Sequence, residues 1–205
     1  MCLTDLVHLW DRLTEAQRVG WRALAQELHS RPWMGHAGKL DGPLLFKKLN
    51  TVLATCGRDL LFDAPPLPSF GPNPVIGFEI TDGADGLALK LKLRAAPTAD
   101  LMVFAWAPVH PGVEKNSNYS FLGLAPAPVD GVIEITELYL RKLKEWRKLK
   151  HKRYQVPLPG SKVFIRVWQQ VNGWEHVLGM FRDSAFVPTK GAAAGRPADS
   201  KARHH

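Results

Sequence analysis

At 205 residues, with 45% apolar and 22% charged side chains, the chain can bury one sizeable core or two modest ones, which excludes a miniprotein and a disordered acidic chain. Two cysteines, Cys2 and Cys56, exclude a disulfide framework, and the lack of a CxxC or Cys/His cluster argues against structural zinc. Seventeen glycines and sixteen prolines imply many turns, and a formal charge of +8 directs attention to nucleic acid and acidic surfaces.

The amino-terminal stretch MCLTDLVHLWDRL carries an acid at position 5, no basic leader and no long apolar run, so no secretory signal is expected. No segment approaches the roughly 18 apolar residues of a membrane span. The expected location is the cytoplasm, with reduced cysteines, or incorporation into a virion or other assembly.

Residues 1–63 read as helical. Asp5 to Leu13 is a short helix candidate. Thr14 and Gln17 have the spacing of a capping box, and Trp21, Leu24, Ala25 and Leu28 then recur at i, i+3, i+4 and i+7, which predicts a helix over Glu15–His29. Asp41 and Pro43 are a cap and first-turn pair for a second helix, with Phe46, Leu49, Leu53 and Cys56 on its apolar face and Gly57 as its stop. That spacing makes Cys56 a small core hydrophobe rather than a reactive thiol.

Residues 64–74, APPLPSFGPNP, hold five prolines and read as a linker. The hydrophobic period then changes from 3.6 to 2. Leu87, Leu89, Leu91 and Leu93 alternate with Ala88, Lys90, Lys92 and Arg94, a strand with one buried and one wet face. Further strands are expected over Val75–Thr81, Leu101–Ala107 (with Trp106 in the core), Asn118–Leu122, Val132–Ile135, Lys162–Gln170 and Trp174–Phe181, which suits an antiparallel sandwich. Residues 189–205 lack periodicity, are rich in Ala, Gly and charge, and are expected to be a disordered tail.

The order of these strands, and above all VFIRVWQQVNGWEHV (Val163 to Val177) with its Asn-Gly turn, resembles the last hairpin of a fibronectin type III module. The resemblance implies an α+β chain: N-terminal helices, then an antiparallel seven-stranded fibronectin III- or Ig-like β-sandwich over 75–188. The succession of WRALA (Trp21 to Ala25), PLLFKKLN (Pro43 to Asn50), a proline linker and a sandwich is similar to uncharacterised bacterial proteins, some of them linked to phage or mobile elements. Where such a module has a short loop between its fifth and sixth strands, this chain inserts a basic helix near 137–154.

That insertion carries the charge. Residues 141–153 hold Arg141, Lys142, Lys144, Arg147, Lys148, Lys150, Lys152 and Arg153 against one acid, Glu145, a net +7 that leaves +1 for the rest of the chain. With Thr136 as N-cap, Tyr139, Leu143, Trp146 and Leu149 form an apolar stripe on which the helix can dock. The cations then either form a solvated face, their stems covering apolar surface, or meet phosphates with little sequence preference. An anionic membrane surface would attract the same segment.

On the Lys162–Gln170 strand, Val163, Ile165 and Val167 take one face and Phe164, Arg166 and Trp168 the other. These three large side chains form a stacking platform for a base or sugar, a bed for the N-terminal helices, or an interface with another protein. The eight histidines have no metal-site spacing, and His204 and His205 resemble a tag remnant. No catalytic motif, cofactor motif or metal cluster is present in the sequence. The reading is a non-enzymatic structural or interaction protein that engages a protein partner or self-assembles. The alternatives are a nucleic-acid-binding accessory protein using 141–153 and a carbohydrate-binding module.

Overall fold

The computed structural model describes residues 8–29, 41–83, 86–110, 112–113, 119–149 and 159–189, without the side chains of His29, Arg147 and Leu149. The fold is α+β, with two antiparallel sheets.

Residues 8–11 are helical within the short helix expected over Asp5–Leu13; residues 5–7 lie outside the described residues. Helix α1 spans Glu15–His29. Its capping box is reciprocal: Thr14 N–H donates to Gln17 Oε1 at 3.0 Å and Gln17 N–H donates to Thr14 Oγ1 at 3.3 Å. Helix α2 spans Gly42–Thr55. Asp41 caps it by accepting from Leu44 N–H at 2.8 Å. Gly57, at φ +67°, ends it while Arg58 N–H reaches back to Leu53 O at 2.9 Å.

The apolar faces of α1 and α2 meet. Trp21, Leu24, Ala25 and Leu28 pack against Leu45, Phe46 and Leu49, with Trp21 edge-on to Phe46 at 5.3 Å. Ala64, Leu67 and Phe70 from the proline-rich segment lie against this cluster, so the segment forms one wall of the helical core. Asn50, fully buried, ties the unit together: Nδ2 donates to Phe46 O and Leu61 O while Oδ1 accepts from Leu61 N–H.

Three strands form one sheet in the order β1-β2-β5: β1 Val75–Gly83, β2 Gly86–Leu93 and β5 Val132–Glu134. The other sheet runs β4-β3-β6, with β3 Asp100–Ala105, β4 Ser120–Leu124 and β6 Lys162–Val171. Its far edge is shared by β7 Trp174–Glu175 and β8 Phe181–Phe186, both paired to β6. Seven strands were expected from the sequence and eight are present among the described residues. The expected strand over Trp174–Phe181 breaks after Glu175, because residues 176–180 turn out of register before β8 resumes the edge. Asn73 holds that turn, donating to both Val167 O and Gly179 O.

The inward faces of the two sheets share one apolar core. Val75, Phe78 and Ile80 of β1, Leu89 and Leu91 of β2 and Ile133 of β5 meet Leu101, Val103 and Ala105 of β3 and Val163, Ile165 and Val167 of β6. Leu87 and Leu93 line its rim. Trp106 falls outside this core and is half-buried. The even positions Met102 and Phe104 point away from the inward set Leu101, Val103 and Ala105, and Trp106 continues their parity past the end of β3. Asp130-Gly131 and Asn172-Gly173, all four at positive φ, make the tight two-residue turns of two hairpins.

Helix α3, Thr136–Leu149, follows β5 and precedes β6, lying against β2 and β4. Tyr139 and Leu143 are buried in the shared core and Trp146 packs at its margin.

Candidate interaction surfaces

Two features singled out in the sequence are surface features of the two-sheet unit. The first is α3. Thr136 is the first residue of the helix rather than its N-cap, since Tyr139 N–H donates to Ile135 O; the Thr136 hydroxyl instead accepts from Leu89 N–H at 2.9 Å and donates to Glu134 Oε1 at 3.0 Å, which ties the first turn to β2. Further along, Arg141 Nη2 donates to Leu122 O and Trp146 Nε1 donates to Ser120 Oγ, so the other flank is tied to β4. Gly123 lies under this contact. It sits at φ +144° in an irregular stretch of β4, and a Cβ there would stand 3.2 Å from Leu138.

With one face held in this way, Lys144 and Lys148 stand clear of it, and Arg141 lies at its border with one nitrogen on Leu122 O. Arg141, Lys144 and Lys148 are exposed. Lys142 pairs with Glu145 at 2.6 Å, and this hydrogen bond, with the charge of Lys142 and then of Arg141 and Lys148, holds the Glu145 carboxyl below the ordinary glutamate value. Arg147 lies within the helix, its side chain outside the described residues, as are Lys150, Lys152 and Arg153.

The second feature is the outer face of the β4-β3-β6-β8 sheet. Phe164, Arg166 and Trp168 share this face, as their alternation with the buried Val163, Ile165 and Val167 requires. Cross-strand pairing supplies neighbours that one strand's sequence cannot reveal. Met102 stands opposite Trp168, and Phe104 opposite Arg166. The Phe104 ring stacks on Trp168 at 3.9 Å between centroids and contacts Phe121 at 5.2 Å. The Arg166 guanidinium lies 3.8 Å from the Tyr119 ring centre, and Lys162 Nζ sits near both Phe164 and Phe186. Trp168 Nε1 donates to Glu175 Oε1 at 3.0 Å. Phe164 is buried, whereas Trp168, Arg166, Phe104 and Phe121 are each half-buried.

The helical cluster does not use this row among the described residues. It is closed by Trp174 of β7, one turn beyond β6. The Asn172-Gly173 tip abuts the α2 backbone, where a Cβ on Gly173 would fall 2.4 Å from Leu49 O. Arg58 makes a bidentate pair with Asp100 of β3 at 2.6 and 2.9 Å, and Asp100 also accepts from Gln170 Nε2 at 2.7 Å. Lys48, partly desolvated here, has its pKa lowered by that burial, against the opposing charge of Glu175. The helices therefore dock on the hairpin end of their own chain's sheet.

Cys56 lies at the C-cap of α2, half-buried rather than within the helical core. Desolvation first, then the charges of Asp100 and Glu175, push its thiol up to about 11. The group is a poor nucleophile. Among the described residues no three His, Cys, Asp or Glu side chains converge on a metal position, and no helix is long and apolar enough to cross a membrane. Comparison with protein-family models, with curated proteins and with solved structures finds no match to this chain.

Proposed function

We propose that the chain is a non-enzymatic interaction protein, a fibronectin type III-like β-sandwich with a helical cap, whose binding face is the outer surface of the β4-β3-β6-β8 sheet. Strand order supports the fold reading: β1-β2-β5 opposes β4-β3-β6-β7/β8, all antiparallel, with a shared core between them. The observation that carries the functional reading is the row Phe121, Phe104, Trp168 flanked by the Arg166–Tyr119 stack. Trp, Tyr and Arg are the side chains most often found as binding anchors. Held in mutual contact on a rigid sheet, they lose little rotamer freedom when a partner arrives.

A second copy of the chain is the first partner to test. Sedimentation velocity across a wide concentration range, on the parent and on Trp168→Ala, reads association, and thermal melting of the same samples reads stability. Concentration-dependent dimerisation that Trp168→Ala abolishes with little loss of melting temperature supports the reading. A monomer at every concentration, with Trp168→Ala costing the roughly 3–5 kcal/mol of a core Trp deletion, assigns the row to internal packing and rejects the proposed face.

A further inference from the structure

We propose that the outward face of α3 is a binding site for the phosphate backbone of nucleic acid, separate from the aromatic sheet face. Three observations point there. First, α3 is a fixed part of the fold: Tyr139 and Leu143 are in the two-sheet core, and hydrogen bonds from Leu89, and to Leu122 and Ser120, hold its two flanks. The backbone positions that carry its exposed cations are therefore fixed, even though the Lys side chains themselves reach into solvent.

Second, Arg141, Lys144 and Lys148 fall at i, i+3 and i+7, one stripe along a helix of 14 residues, about 21 Å long. Neither Lys144 nor Lys148 forms an ion pair among the described residues, and their i, i+4 spacing sets like charges side by side. Arg141 also ties the helix to Leu122 O, whereas no hydrogen bond to a strand involves Lys144 or Lys148 among the described residues, so anchoring does not depend on those two. A polyanion laid along the stripe relieves this repulsion and releases its own condensed counterions.

Third, the cations of β2 face carboxylates. On the outer face of β2, Lys92 pairs with Glu79 at 2.6 Å, and Lys90 stands between Glu79 and Glu134 in the strand register. The α3 segment and the residues directly after it hold nearly all the chain's net charge.

The side chains available also indicate the mode of contact. The exposed stripe offers only Lys and Arg, which suit phosphate oxygens, and α3 carries no Asn or Gln to pair with adenine, so binding is expected to be insensitive to base sequence.

The test is fluorescence anisotropy with labelled 20-nucleotide single strands and 20-base-pair duplexes of two unrelated sequences, using the full chain from 25 to 300 mM salt. Three proteins are compared: the parent, Lys144→Gln/Lys148→Gln, and Lys90→Gln/Lys92→Gln, which removes equal charge from β2. The expected result is binding by the parent that steepens at low salt, with affinities for the two sequences within about threefold. The α3 variant then loses about tenfold or more at 50 mM, with its salt slope on duplex shallower by about 1.8, while the β2 variant keeps both. No binding by the parent at 25 mM salt overturns the proposal, as does equal loss in both variants, which marks diffuse attraction. A sequence preference above about tenfold overturns the backbone mode. Binding to phosphatidylserine vesicles without binding to oligonucleotides reassigns the face to a membrane surface.

Discussion

Gly173 is the most informative single position for the way the helices sit on the sheets. It is the second residue of the β6–β7 turn at φ +81°, and a Cβ there would lie 2.4 Å from Leu49 O and 2.9 Å from the carbonyl carbon and Cα of Leu49. Gly57 provides the control, because it has a similar φ of +67° but open space where a Cβ would stand. Gly57→Ala therefore reports only the left-handed backbone, about 1–2 kcal/mol. Gly173→Ala adds overpacking against a helix backbone, another ~1–3 kcal/mol, for a total of about 2–5 kcal/mol. For a chain of this size that lowers the melting temperature by roughly 5–15 °C, against about 2–8 °C for Gly57→Ala. Urea and thermal unfolding followed by tryptophan fluorescence suits the question, since Trp21 and Trp174 lie in the affected cluster. If the two variants agree within about 0.5 kcal/mol, the hairpin tip does not touch α2 and the docking described above is wrong.

Other positions test other parts of the argument. Asn50→Ala leaves both Leu61 N–H and Leu61 C=O without their amide partner and is expected to cost about 2–4 kcal/mol in urea unfolding; a loss below about 1 kcal/mol contradicts the buried bridge. The Tyr139 hydroxyl is fully buried with no hydrogen-bond partner among the described residues, and that burial pushes its pKa far up. Tyr139→Phe is expected to gain about 1 kcal/mol and raise the melting temperature, whereas a clear loss reveals a partner for the hydroxyl. For Cys56, a thiol pushed up to about 11 is protonated through neutral pH. In a Cys2→Ser background, alkylation at pH 7.5 should run on the order of 100-fold slower than for an unperturbed thiol and rise about tenfold per pH unit up to pH 10. Alkylation at the unperturbed rate refutes the desolvated setting.

What was legible in the sequence follows from where the determining physics lies. The bounds of α1 are carried by local chemistry, because the Thr14–Gln17 capping box closes within one turn and Trp21, Leu24, Ala25 and Leu28 sit on one face through spacing alone. The alternation in β2 and β6 likewise fixes which side chains face the core. Pairing between strands is non-local. No feature of LMVFAWA indicates that Phe104 stands opposite Arg166 and against Trp168, so the row built on Phe164, Arg166 and Trp168 was half visible. Trp106, expected in the core, lies off it because counting from Leu101 puts it on the outward parity. The break between β7 and β8 is non-local as well. It depends on Asn73, about a hundred residues away, gripping Gly179 O.

The same distinction decides which feature of α3 could be read in advance. The stripe Tyr139, Leu143, Trp146 is periodic and therefore local, and it announces a docked helix. What it docks on is set by non-local contacts: Arg141 and Trp146 bond to β4, where Gly123 leaves room beside Leu138, and the Thr136 hydroxyl serves β2. Those contacts turn a basic run into a rigid surface feature. A charged helix held only by its stripe could roll and hide its cations against carboxylates. One tied to strands on both flanks cannot, so the repulsion between Lys144 and Lys148 persists in the folded chain. Replacing both by Gln should therefore leave stability unchanged or raise it slightly, by the few tenths of a kcal/mol of a like-charge i, i+4 pair. A melting temperature that falls instead shows that the two side chains support the fold, and it removes the main reason for assigning them to a partner.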